Sequence, residues 1–265
     1  MPPSESPPLA PDDPAPVELV EIVDETPALL TCDHASRAVP RRLAGLGLEP
    51  GLIERHIGWD IGAAEVTRRL ARALALPAIL SGYSRLVIDC NRDPADRNSI
   101  PESSDGIAVP ANRALSAAER EARRACCFTP YHRAIAARLE RFLTAGVAPA
   151  LLSIHSFTPV MNGFARPWHV GILWDADPRI PVPLLAALRA DPSLVVGDNQ
   201  PYSAREPAGY TVRHHAAAQG LPHVAVELRQ DLIGTAEGAS LWADRLAAAL
   251  SPILARREIY RIAPR

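Results

Sequence analysis

An α/β fold is what this sequence predicts: one domain on a largely parallel or mixed sheet covered on both faces, inferred from three observations. Short apolar, β-branched runs such as Ala28 to Cys32, Ala150 to Ile154 and Val224 to Leu228 alternate with helical repeats, and strands alternating with helices build sheets of this kind. At 265 residues the chain is long enough to bury roughly three quarters of its extended surface in one core. Neither an internal repeat nor a second hydrophobic block beyond a linker divides it.

The elements follow in order. Met1 to Pro16 holds seven prolines, is acidic and lacks an apolar run, so it reads as a disordered tail and not as a signal peptide or membrane anchor. Val17 to Val23 and Ala28 to Cys32 read as strands. Asp60 is expected to cap a helix in which Ile61, Ala64, Leu70 and Leu74 recur at near-helical spacing. Two short strands, Ala78 to Ser81 and Leu86 to Ile88, flank Gly82. The polar segment from Arg92 to about Leu115 is long enough to be a functional flap.

Ser116 and Glu119 fit a capping box, opening a helix to about Leu143 that Pro130 kinks or splits. Strands are then expected at Ala150 to Ile154, Val170 to Trp174, Leu194 to Val196 and Val224 to Leu228. Helices are expected near Pro183 to Arg189, Gly209 to Gln219 and Ala236 to Arg256, the last with Leu241, Leu246, Leu250 and Ile253 on one face.

Composition excludes several classes. A formal net charge of -2, from Lys+Arg 28 against Asp+Glu 30, gives no reason to invoke nucleic acid or an anionic membrane. No apolar run approaches the ~20 residues that span a bilayer. Cys32, Cys90, Cys126 and Cys127 form no C-x-x-C pair, so free thiols in a reducing compartment are expected, and with them a cytoplasmic location. Without a G-x-S-x-G elbow or a G-x-G-x-x-G loop, serine-hydrolase and dinucleotide readings lose their usual support.

Chemistry gathers at strand ends, where α/β proteins bind ligands. His34 follows the apolar run Ala28 to Cys32, and His155 follows Leu151-Leu152-Ser153-Ile154. Two histidines at two strand ends suit a zinc site whose ligands come from distant segments, and a catalytic zinc takes a third protein ligand. Three residues beyond His34 stands Arg37, which cannot bind a cation, so Asp60 is the best substitute and His56 its competitor.

Glu227 ends the run Val224 to Val226, where an interior carboxylate is costly unless paired or functional. It is read as the general base, with a salt bridge to Arg229 or Arg213 as the alternative. Arg85 and the pair Asn91-Arg92 flank Leu86 to Ile88, and an arginine fork beside an Asn suits a substrate with a free carboxylate. His132, the pair His214-His215 after Arg213, and Tyr202 are weaker candidates for the pocket lining.

At these residues the chain resembles the N-formylglutamate amidohydrolase family. The resemblance runs in order through His34, Trp59-Asp60, Tyr83 to Pro94, Pro130-Tyr131-His132, His155-Ser156, Gly209 to His214 and Glu227, and Tyr83 to Pro94 is its most specific stretch. More distantly, Asn91-Arg92, Ser153 to Ser156 and Glu227 to Arg229 are similar to segments of zinc carboxypeptidases. The resemblance implies a three-layer α/β/α catalytic domain over residues 17–265, with a central mixed, largely parallel sheet. It implies hydrolysis of an N-acyl amino acid, such as N-formylglutamate, by a zinc-activated water. His34 and His155 would hold the metal, Glu227 would move protons, and Arg92 with Asn91 would hold the substrate carboxylate. Asp60 is taken as the third metal ligand, and Arg85, Arg213 and His214 as further residues facing the substrate.

Better-known members have Pro-His-Thr/Ser-Gly at the first histidine and an arginine soon after the His-Ser pair. Here Asp33-His34-Ala35-Ser36 and Phe157-Thr158-Pro159 stand instead, which leaves the acyl group and the amino acid open. A carboxypeptidase-like amidase acting on peptides or cell-wall fragments, and a ligand-binding homologue without turnover, are the alternatives.

Overall fold

The structure is a computed structural model that describes residues 9–22, 26–205 and 209–263. Among these residues eleven strands and six α-helices follow one another. The strands are β1 (Val17–Val20), β2 (Ala28–Cys32), β3 (Ala78–Ser81), β4 (Ser103–Ser104), β5 (Ile107–Ala108), β6 (Ala150–Phe157), β7 (Val160–Met161), β8 (Phe164–Ala165), β9 (Val170–Leu173), β10 (Val196–Asp198) and β11 (His223–Arg229). The helices are α1 (Ala63–Leu74), α2 (Ala117–Arg123), α3 (Thr129–Thr144), α4 (Pro181–Arg189), α5 (Thr211–His215) and α6 (Ala236–Leu254).

Seven strands form one sheet in the order β1-β3-β2-β6-β11-β9-β10. Its centre, β3-β2-β6-β11, is parallel, whereas β1 and the β9-β10 pair run the other way. The expected mixed, largely parallel sheet is therefore present, and helices cover both faces. On one face Leu30, Leu152, Ile154, Val224, Val226 and Leu228 join residues of α1, α4 and α6 in the main core. On the other, Leu29 and Leu151 pack under Tyr131, Ile135 and Leu139 of α3. Alternation along each strand sends successive residues to opposite faces, so one strand feeds both layers.

Several expectations need correction. Leu86 to Ile88 is a buried turn and not a strand. Its backbone finds partners outside the sheet: the Asn112 amide donates to Leu86 O (2.9 Å), the Arg123 guanidinium to Val87 O (3.2 Å), and Leu86 N donates to Ser84 Oγ (3.1 Å). Buried peptide groups must be satisfied, and side chains do it here in place of a ladder. Nor does Asp60 cap a helix: α1 starts three residues later behind Gly62, in the left-handed region at φ 82° and without a side-chain cap. A Cβ at Gly62 would lie 2.3 Å from Ile233 O, so this close approach demands glycine.

Ser116 and Glu119 do form the capping box. The long helix is broken by a π-turn at Arg124–Phe128 just before Pro130, whose missing N–H cannot serve the preceding turn. The expected tail is only partly described. Residues 1–8 and Val23 lie outside the described residues, but 9–16 rest against the domain. Gly82 N donates to Pro16 O (2.9 Å), the Tyr83 hydroxyl to Pro14 O, and Leu9 packs on the cluster around Leu86. These backbone bonds offset the low apolar content that suggested disorder.

Candidate metal centre

The parallel registers bring the strand ends together. Thr31 pairs with Ser153 between β2 and β6, and His155 pairs with Glu227 between β6 and β11. Residues matched across parallel strands point to the same face, so Ser153, His155 and Glu227 share the face carrying Leu29 and Leu151. Asp33, two residues beyond Thr31, continues that face. His34 follows in the turn, and Asp60 N donates to His34 O (3.0 Å), fastening the segment before α1 to it.

Around Asp60 the three residues expected to ligate a metal converge. Its Oδ2 lies 2.9 Å from His155 Nδ1 and 3.3 Å from His34 Nδ1 and accepts from Ser156 N (3.3 Å). One ligand atom from each of His34, Asp60 and His155 lies within 4.8 Å of the others, and all three residues are buried. Ligand atoms in a tetrahedral zinc site stand about 3.4 Å apart for bonds near 2.1 Å. Two imidazoles and a carboxylate make a donor set that zinc accepts, so these residues fit a divalent ion.

The far nitrogens of both rings are also held. His34 Nε2 lies 2.6 Å from Asp89 Oδ1, and His155 Nε2 lies 2.9 Å from Asp33 Oδ2. A carboxylate only accepts, so each Nε2 can donate to its own carboxylate as each Nδ1 can to Asp60. Burial pushes both imidazoles toward the neutral form, but the surrounding carboxylates prevail. Asp33 and Asp60 hold His155 well above the ordinary histidine range, and Asp89 and Asp60 raise His34 against burial and Arg85. Against burial of their own, the histidines and Arg85 hold Asp60 and Asp89 well below the carboxylate range. The Arg85 guanidinium bridges Asp60 Oδ1 (3.4 Å) and Asp89 Oδ2 (3.0 Å).

Glu227 stands apart from this bonded network. It is 7 % exposed, and its Oε2 has no hydrogen-bond partner among the described residues. Burial pushes its carboxyl up to about 7. A carboxyl poised near neutrality beside an ion site can take and return a proton.

The remaining expected site residues divide. Asn91 adjoins the cluster, with Nδ2 3.5 Å from His155 Nε2, but its Oδ1 already accepts from Tyr210 N (2.8 Å) and Thr211 N (2.9 Å). Arg92 reaches Asp96 (3.4 Å), with Nε 4.0 Å from Asp89. Arg213 and His214 are exposed on α5, and His214 stacks on Tyr210, so the structure does not bring them to the cluster. His56 pairs with Asp105 (3.6 Å) and is absent from the triad. His132 is buried against His215 (2.9 Å) and Cys90 O (2.9 Å), where burial lowers it to about 4.

Three groups escaped the sequence reading. Asp89 and Asp33 were visible beside Asn91 and His34, yet their role as imidazole partners depends on the assembled register. Arg166, only 7 % exposed, donates to the Tyr202 hydroxyl (3.0 Å) and lies over the Phe157 ring. The β7-β8 hairpin delivers it eleven residues after His155, and local sequence gives no sign of that.

The N-formylglutamate amidohydrolase family model matches residues 26–234. Among solved structures, a gene product from Agrobacterium tumefaciens is 33 % identical, with a TM-score of 0.87, over 91 % of this chain and 95 % of its own. An N-formylglutamate amidohydrolase from Ralstonia eutropha JMP134 shares the fold at a TM-score of 0.66 and 18 % identity, over 92 % of this chain and 99 % of its own. No curated protein matches the chain. No helix among the described residues is long and apolar enough to cross a membrane.

Proposed function

The chain belongs to the N-formylglutamate amidohydrolase family, and on that premise we propose that it is a zinc-dependent hydrolase of the amide bond in an N-acyl amino acid of the N-formyl type. The observation that carries this reading is the buried His34-Asp60-His155 cluster beside Glu227, which pairs in register with His155 and whose Oε2 makes no hydrogen bond among the described residues. A divalent ion held there would supply Lewis acidity for amide hydrolysis.

The protein's own groups do the rest. His34, Asp60 and His155 would hold the ion, while Asp89 and Asp33, accepting from each Nε2, would leave each Nδ1 lone pair turned inward. Glu227 accepts the proton of the attacking water and returns it to the leaving nitrogen, its carboxyl near 7 suiting both directions. Arg85 fixes the orientation of Asp60 and Asp89. The substrate carboxylate is received by arginine. Arg92 has a buried Nε that makes no hydrogen bond among the described residues, with Asp89 Oδ2 at 4.0 Å, and Arg166 donates only to uncharged groups there. Asn91 supports this arrangement by anchoring the start of α5.

A small N-acyl amino acid in a reducing, cytoplasmic compartment fits the four free cysteines, and the catalytic domain includes the docked residues 9–16. A ligand-binding protein without turnover would carry the burial cost of Glu227 with no return. The test is turnover of a panel of N-formyl, N-acetyl and longer N-acyl amino acids, read as release of free amine with and without added zinc. Metal-dependent release from N-formyl amino acids is expected. No release from any member, with zinc bound, would leave the ligand-binding alternative.

A further inference from the structure

Asp33 is the most heavily bonded carboxylate beside the candidate centre. It is 1 % exposed. Its Oδ1 accepts from the Tyr131 hydroxyl (2.8 Å) and the Thr211 hydroxyl (2.6 Å), and its Oδ2 accepts from the Ser153 hydroxyl (3.0 Å) and faces His155 Nε2 at 2.9 Å. Three hydroxyls from α3, α5 and β6 thus fix both oxygens before the imidazole is counted. A charge buried so completely is costly unless every lone pair is used, and here the one charged neighbour among these four partners is His155.

We infer that Asp33 is the positioning residue for His155, holding its ring by Nε2–H so that the Nδ1 lone pair is presented to the metal. The inference rests on the zinc reading above. Two features of the geometry carry it. First, His34 and His155 are arranged alike: each turns Nδ1 to Asp60 and Nε2 to a separate buried carboxylate. Second, Asp33 cannot follow another partner, because Tyr131, Thr211 and Ser153 pin it from three elements. Without it, Nε2 would have Ser153 Oγ at 3.0 Å, a hydroxyl that gives or takes a hydrogen, and the amide Nδ2 of Asn91 at 3.5 Å, neither of them an exclusive acceptor that selects the Nε2–H tautomer. Loss of such an outer partner typically costs about 10–100-fold in metal affinity.

The experiment measures zinc affinity of the full-length protein by competition with a chromogenic chelator, for wild type, Asp33→Asn and Tyr131→Phe. Asp33→Asn should bind zinc 10–100-fold more weakly, in line with that typical cost. Tyr131→Phe removes one donor to Asp33 but leaves its bond to His155, and should stay within about threefold of wild type. Equal weakening of both variants would reduce Asp33 to a packing role and overturn the inference, as would unchanged affinity in Asp33→Asn. Should Asp33→Asn fail to fold, the ¹⁵N signals of wild-type His155 with zinc decide. A protonated Nε2 with metal-shifted Nδ1 is expected, and the reverse pattern overturns it. Wild type that binds no zinc would sink the metal reading and this inference together, whereas tight wild-type binding with an insensitive Asp33→Asn would sink the inference alone.

Discussion

The two faces of the central sheet are built by the same strands and obey different rules. On the face under α1, α4 and α6, β2, β6 and β11 present Leu30, Leu152, Ile154, Val224, Val226 and Leu228, all buried and apolar to the strand ends. On the other face the same strands change character along their length. Leu29 gives way to Thr31 and Asp33, Leu151 to Ser153 and His155, and β11 carries Glu227 two residues before its end. One face maximises burial; the other gives up apolar contact for buried charge near the strand ends. A fold tolerates such a row of carboxylates and imidazoles only where each finds a partner, and Glu227 is the one whose Oε2 finds none among the described residues.

The contrast predicts opposite outcomes for substitutions on the two faces of one strand. The largest effect belongs to the polar face: His155→Ala and His34→Ala should each lose stoichiometric zinc and with it all measurable hydrolysis. Metal analysis of purified protein checks this, and full zinc content in the double variant would break the assignment. On the apolar face Leu152→Ala, three residues from His155, should cost about 2–5 kcal/mol of stability through the cavity it leaves. Denaturant titration measures that loss, and the surviving folded protein should keep its zinc.

A sharper form of the comparison uses pH. Glu227 has a folded value of about 7 against an ordinary 4.5, so the metal-free fold loses stability as pH rises between those values. Glu227→Gln should then match metal-free wild type near pH 4.5 and be more stable by up to about 3 kcal/mol at pH 8. Chemical denaturation of chelator-treated protein at both pH values would show it, and a pH-independent difference would mean that burial does not govern this group. The smallest effect is expected at Arg92→Lys. The charge is kept but the two-point contact with a carboxylate is lost, so KM for an N-acyl amino acid should rise while kcat holds.

How much of this was legible beforehand follows the same division. The apolar face reads directly from sequence, since uninterrupted runs such as Val224 to Leu228 become buried strands. His34, His155 and Glu227 could be picked out because each closes such a run, and Asp60 followed from the need for a third ligand. Partners were harder. Asp33 and Asp89 sit one and two residues before His34 and Asn91, yet which imidazole each meets depends on the β2-β6 register and on a turn, Leu86 to Ile88, that sequence pattern renders as a strand. Arg213 and His214 were expected at the substrate, but docking of Tyr210 and Thr211 on Asn91 leaves both exposed. Arg166 arrives through a hairpin with exposed Val160 and Phe164, whose apolar tips carry no hint of a buried guanidinium behind them.

The central claim is that Glu227 moves the proton at a zinc site held by His34, Asp60 and His155. It is tested most directly by measuring, on one preparation of Glu227→Gln, both zinc content and turnover of the best N-acyl amino acid. An amide fills the same space but cannot accept a proton, so zinc should remain at one equivalent while turnover falls by about 10²–10⁴-fold. Retained zinc with wild-type turnover would contradict the claim, leaving Glu227 as a buried carboxylate without a catalytic part.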